Sequence, residues 1–122
     1  MVEGLEIQGR RRGTRCCESE VQPRMSQAEA EQLSSDLQIL GHPIRLQILD
    51  ILTRNDGQIC VCDLEAALPV KQPTISHHLK LLRDAGLIDC ERHGLWAYYF
   101  VKRGALEALR ARVMGQLDAL RS

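Results

Sequence analysis

Between residues 63 and 101 the chain changes its hydrophobic period in a way few folds accommodate. A short helical stretch at 63–68 is stopped by Pro69, and Pro69-Val70-Lys71 supplies a tight turn. Gln72-Pro73-Thr74 then opens a longer helix, with Ile75, Leu79 and Leu82 on its inward face at steps of four and three, ending near Gly86. Next the period falls to two. Strand-like runs at 87–92 and 95–101 follow, with His93-Gly94 as the expected hairpin tip and Trp96, Tyr98 and Phe100 sharing one face. Short helix, turn and longer helix form a helix-turn-helix; a hairpin directly behind it makes a winged helix.

The flanks read as helices. Ser26 and Glu29 have capping-box spacing, and Leu33, Leu37 and Leu40 continue a helix over 27–40 up to Gly41. His42-Pro43 opens a second helix, with Ile44, Ile48, Ile51 and Leu52 as its buried stripe, and Asn55-Asp56-Gly57 closes it. Residues 59–61 suggest a strand stub. A last helix over 104–120 carries Leu106, Leu109, Val113, Leu117 and Leu120. The expected fold class is mainly α with a small β-hairpin. Residues 26–122 form the domain, and 1–25 form a flexible basic arm with Arg10, Arg11, Arg12, Arg15 and the pair Cys16-Cys17. A chain of 122 residues can bury such a core without staples. Its longest apolar run, 95–101, is far too short to span a membrane, and no apolar stretch follows the N-terminal arginines as in a secretory signal. The expected location is cytoplasmic, with no membrane partner.

Sixteen Lys and Arg balance sixteen Asp and Glu, which excludes a wholesale polycation but not a local basic face. Lys71, Lys80, Arg83, Arg92, Lys102 and Arg103 outnumber Asp84, Asp89 and Glu91 within the helix–hairpin segment. That excess is where a duplex footprint is expected. Gln72, Thr74, Ser76 and His77 are donors and acceptors at the start of the longer helix, suited to base edges. Lys71, Lys80, Arg83, Arg92 and His93 are candidates for phosphate contact. The rival reading is a solvated face on a protein-binding winged helix, because fold does not dictate function.

Five cysteines, an odd number, do not make a disulfide scaffold; they suggest metal binding, redox sensing or inert thiols. Cys60 and Cys62 flank the start of the short helix. Residues two apart on a helix point about 200° from each other. Both can therefore reach one ion only if Cys60 precedes the helix and Cys62 lies in its first turn. A helix start is also expected to favour thiolate. Soft sulphur donors suit As(III), Sb(III), Cd(II), Pb(II) or Cu(I). Two are too few, since As(III) takes three and Cd(II) four. Cys90, alternating with Ile88, is expected to be a small core hydrophobe. No CxxC motif or phosphate-cradling loop is present, so neither an oxidoreductase nor an arsenate reductase is expected, and no small organic substrate.

The segments LGHPIRLQILDIL (40–52), ICVCDLEAAL (59–68), QPTISHHLKLLRDAGLI (72–88) and RHGLWAYYFV (92–101) together resemble the ArsR/SmtB family of metal-responsive winged-helix repressors. The resemblance implies a homodimer formed through the first and last helices, bound to palindromic operator DNA and released by a metal or metalloid. The chain departs from the family in three places. Pro73 stands where a small polar residue is frequent, which leaves the operator sequence open. Glu65 stands where arsenic-sensing members place a third cysteine. The C-terminal helix lacks the histidines of the zinc and cobalt sensors. In cadmium- and lead-sensing members an N-terminal arm completes the cysteine site. The resemblance therefore implies a metal site of Cys60 and Cys62 with Cys16, Cys17 or both, plausible across the dimer interface. Adjacent cysteines diverge in an extended chain, which favours one arm ligand and a trivalent inducer, As(III) or Sb(III). With both engaged, a tetrathiolate would suit Cd(II) or Pb(II). A thiol-redox sensor on the same fold is the remaining alternative.

Overall fold

The computed structural model describes residues 21–121. The expectations for the arm, Cys16 and Cys17 included, fall outside the described residues apart from its last five positions. The elements are α1 (Gln27–Leu40), α2 (Pro43–Arg54), α3 (Val61–Ala67), α4 (Gln72–Asp84), β1 (Ile88–His93), β2 (Trp96–Val101) and α5 (Arg103–Arg121). α3 and α4 are the helix-turn-helix, and β1–β2 is an antiparallel wing.

Local chemistry sets the boundaries. At α1, Ser26 Oγ accepts from the Glu29 amide at 3.0 Å, and the Ser26 amide donates to Glu29 Oε1 at 2.9 Å. At α2 the His42 ring takes the capping role, its Nδ1 accepting from the Ile44 amide at 3.1 Å, and Pro43 fills the first turn. α3 begins at Val61, two residues earlier than the sequence pattern suggests. The reason is Asp63, whose Oδ2 accepts from the Cys60 amide at 3.0 Å and makes Cys60 the N-cap.

The wing tip also shifts. His93 belongs to β1 and pairs with Trp96, so the turn is Gly94-Leu95 rather than His93-Gly94. Gly94 has φ +67°, the left-handed value that a two-residue hairpin turn needs at its first central position. The expected stub at 59–61 is reduced to one bridge: the Tyr99 amide donates to the Ile59 carbonyl at 2.7 Å.

The core runs through α2, α3, α4, the wing base and the first half of α5. Ile48, Leu52, Leu64, Ile75, Leu79, Leu82 and Ile88 are fully buried. On α2, Leu49 is buried and Ile51 only partly, because α2 turns its face between α4 and β2. The α5 stripe outruns this core. Leu109 and Val113 are buried, but Leu117 and Leu120 are 43% and 61% exposed, as are Leu37 of α1 and Met114 at 44%. α1 buries a single residue, Asp36, whose carboxylate takes a two-pronged contact from Arg112 of α5 at 2.9 and 3.0 Å. Among the described residues no helix is long and apolar enough to cross a membrane.

Candidate thiol site and nucleic-acid interface

The start of α3 gathers three donor groups. Cys60 Sγ and Cys62 Sγ lie 2.7 Å apart, and Asp63 Oδ2 is 3.4 Å from Cys60 Sγ. Donor atoms of all three lie within 4.8 Å of one another. N-cap placement of Cys60 and first-turn placement of Cys62 turn both sulphurs to one side, the condition the spacing imposed. Their environments differ: Cys60 is buried, Cys62 exposed.

At Cys62 the thiolate is disfavoured. The Cys60 sulphur holds the Cys62 thiol above its ordinary value, with burial and the Asp63 charge adding to the effect. At Cys62 this runs against the expected promotion of thiolate by the helix start, since α3 is only seven residues long and Cys60 and Asp63 crowd the sulphur. Two soft sulphurs and one hard carboxylate fit a soft ion in part. Among the described residues no third sulphur joins them. Glu65 is outside the cluster, and Cys90 sits half-buried on β1 opposite Tyr99. Asp63 was not anticipated as a donor. The signal was its position three residues after the cap, where an acidic side chain turns back to the cap.

The sulphurs open into a cleft of about 360 Å³ shared with the DNA-reading elements. Its walls include Gln72 at the start of α4 and Arg92, Trp96 and Tyr99 of the wing.

On α4, buried Ile75, Leu79 and Leu82 turn the opposite side outward. Gln72, Thr74, Ser76, His77 and Lys80 are exposed there, as are Lys71 before it and Arg83 near its end. Arg92 and His93 are exposed on β1. Some cations are already paired: Lys80 with Asp84 at 2.9 Å, Arg83 with Asp89 at 3.3 Å, and His93 with Glu91 at 3.2 Å.

The inward side of α4 carries a polar clamp. His78 is buried, its ring 4.3 Å from that of His42. Arg45 donates to the Ile39 carbonyl at 2.7 Å and the Gln38 carbonyl at 3.0 Å, and its Nη1 lies 3.1 Å from His78 Nδ1. An arginine only donates, so Nδ1 accepts and the ring carries its proton on Nε2. Burial, then the neighbouring charges of His42, Arg45 and His77, hold this histidine below its ordinary value. His42 and His78 are structural histidines.

A helix-turn-helix with a polar outer face on its second helix and a wing beside it is the architecture of winged-helix DNA-binding regulators. The chain matches the profile of the bacterial regulatory protein, arsR family, over residues 42–89. It is 39% identical over 71 residues to an uncharacterized HTH-type transcriptional regulator of Methanocaldococcus jannaschii, covering 58% of this chain and 79% of that protein. It is 38% identical over 77 residues to the arsenical resistance operon repressor of Staphylococcus aureus, covering 63% of this chain and 72% of that one. An arsenic resistance transcriptional regulator of Pseudomonas putida is 38% identical over 71 residues, which is 58% of this chain but only 56% of the relative. Among solved structures, an antimony-specific transcriptional repressor superposes with TM-score 0.59 at 26% identity, covering 83% and 91% of the two chains. A homodimeric winged helix-turn-helix DNA-binding domain from Mycobacterium bovis superposes with TM-score 0.56 at 28% identity, covering 83% and 90%. The chain belongs to the ArsR family of bacterial regulatory proteins.

Proposed function

We propose that this chain is a cytoplasmic repressor that grips operator DNA as a homodimer and releases it when its thiols bind As(III) or Sb(III). The carrying observation is the convergence of Cys60 and Cys62 at a cleft that Gln72 and Arg92 also line. Cys16, Cys17 or both supply the remaining sulphur from the arm. One arm thiol completes a three-sulphur site for a trivalent metalloid, and two would make a four-sulphur site for Cd(II) or Pb(II). The relatives named for arsenical and antimony responses support the trivalent choice.

Dimerisation is supported by the apolar side chains that α1 and α5 leave exposed, Leu37, Met114, Leu117 and Leu120, and by the homodimeric relative. The duplex face is Gln72, Thr74, Ser76 and His77 toward bases, with Lys71, Lys80, Arg83, Arg92 and His93 toward phosphates. Release follows from where Cys60 stands. It is buried, so sharing a ligand with an arm thiol requires its sulphur to turn outward. The peptide before it, at Ile59, is tied to the wing through the Tyr99 amide, and α3 packs on α4. Movement of Cys60 is therefore felt by both reading elements. Inducer and operator must weaken each other by one common factor, typically worth about 1–3 kcal/mol.

The test is an anaerobic titration of reduced protein on a bound duplex. Release by arsenite or antimonite without oxidant is expected. Retention of the duplex at every concentration of arsenite, antimonite, cadmium and lead would overturn the reading. The 2.7 Å sulphur separation favours one second reading, a thiol-redox sensor in which an added oxidant takes two electrons and two protons from Cys60 and Cys62 to form a disulfide. Release on oxidation alone would select it.

A further inference from the structure

A second cleft, of about 540 Å³, lies between α4 and the wing base and shares Tyr99 with the first. Ser76, Lys80 and Arg83 line one wall, one helical turn apart in succession; Tyr99 and Lys102 line the other. Two carboxylates, Asp84 and Asp89, also face it, and each is held by a cation of α4. Lys102 is different: among the described residues it has no acidic partner, so it leaves the cleft with one positive charge in excess. Its backbone is fixed on both sides. The Lys102 amide donates to the Leu87 carbonyl at 2.8 Å, and its carbonyl accepts from the Leu106 amide at 3.0 Å at the head of α5.

We propose that this cleft is a seat for one backbone phosphate of the bound duplex, with the Lys102 ammonium as its main partner. The inference rests on the operator-binding reading. Lys80 and Arg83, which line this cleft, also belong to the α4 face proposed for the duplex, so the cleft is continuous with that face. A flexible ammonium suits an oxyanion, while the paired carboxylates keep the excess to a single charge. A seat of this kind gives affinity and register, not sequence preference.

Anisotropy titrations measure the seat directly. The probes are a duplex selected from a random pool on the wild-type protein and an unrelated duplex of equal length, each at several salt concentrations. Each phosphate contact contributes a slope of about 0.9 in log K against log salt, so Lys102→Gln should lower the slope by about 1.8 for a dimer. The same relation gives a loss of about eightfold per protomer at 0.1 M salt, equal on both probes. Lys102→Arg should restore most of it. An unchanged slope overturns the seat, and so does a loss confined to the selected duplex, which would make Lys102 a base reader. An unchanged melting temperature in Lys102→Gln separates a lost contact from a damaged fold. Wild-type protein that binds neither duplex removes the operator reading and the seat together, while Lys102→Gln that binds normally but still responds to arsenite removes the seat alone.

Discussion

Arg112→Ala tests how α1 is held to the rest of the protomer. α1 buries no apolar side chain fully. Its attachment rests on half-buried Leu33, Ile39 and Leu40, on the Arg45 bonds to the Ile39 and Gln38 carbonyls, and on the Asp36–Arg112 pair. Asp36 has its side chain 5% exposed while that of Arg112 is 46% exposed. Breaking a fully buried pair costs about 3–5 kcal/mol. Here one partner is half in water and Asp36 keeps a hydrogen bond from Gln32 at 3.0 Å, so about 2 kcal/mol is expected. That corresponds to a fall in Tm of about 10 °C. The loss should be local first, with amide exchange rising in α1 before α2–α4. Acid titration gives a second handle. The Arg112 hydrogen bond holds the Asp36 carboxyl below its ordinary value of 3.8. Such a group contributes stability in full above 3.8 and loses it as pH falls through the lower, folded-state value. Arg112→Ala should flatten that acid limb. A variant within about 0.5 kcal/mol of wild type, with unchanged exchange in α1, would refute the reasoning.

Other substitutions separate the remaining roles. Cys60→Ser and Cys62→Ser should each keep duplex binding and abolish release by arsenite, read by anisotropy; release in either variant places the ligands elsewhere. His77→Ala should weaken binding to the selected duplex by about tenfold, or about 1–3 kcal/mol, while metalloid affinity in a competition assay stays as it was. His78 is held neutral by burial, so on acidification the unfolded chain takes up a proton near 6.5 that the folded ring refuses. Stability should therefore fall as pH drops through that value, and His78→Gln should lessen the dependence in urea melts. Gly94→Ala places a side chain at φ +67° and should cost about 1 kcal/mol, seen as a lower midpoint with the wing otherwise intact.

Periodicity carried most of the fold. Leucines and isoleucines at steps of three and four marked α1, α2, α4 and α5, although α1 only half-buries its stripe. It failed where a single polar contact outweighed the pattern. Asp63 reaching back to the Cys60 amide started α3 early, and the positive φ of Gly94 moved the wing tip by one residue. Nor does a stripe reveal what covers it: Leu117 and Leu120 keep the helical spacing beyond the reach of the core. At the thiol site, cysteine spacing announced a convergent pair. The walls contributed by Arg92 and Trp96 depend on long-range packing, which no local pattern encodes.

The unequal burial of Cys60 and Cys62 sets an order of events. On the proposed reading, an approaching soft electrophile meets exposed Cys62 first, while its neighbour stays tucked beneath the surface. An adduct held at Cys62 alone would leave the tie between Ile59 and Tyr99 undisturbed. Such a sensor would pass over brief, single-point adducts and answer only an atom able to wait for a second bond.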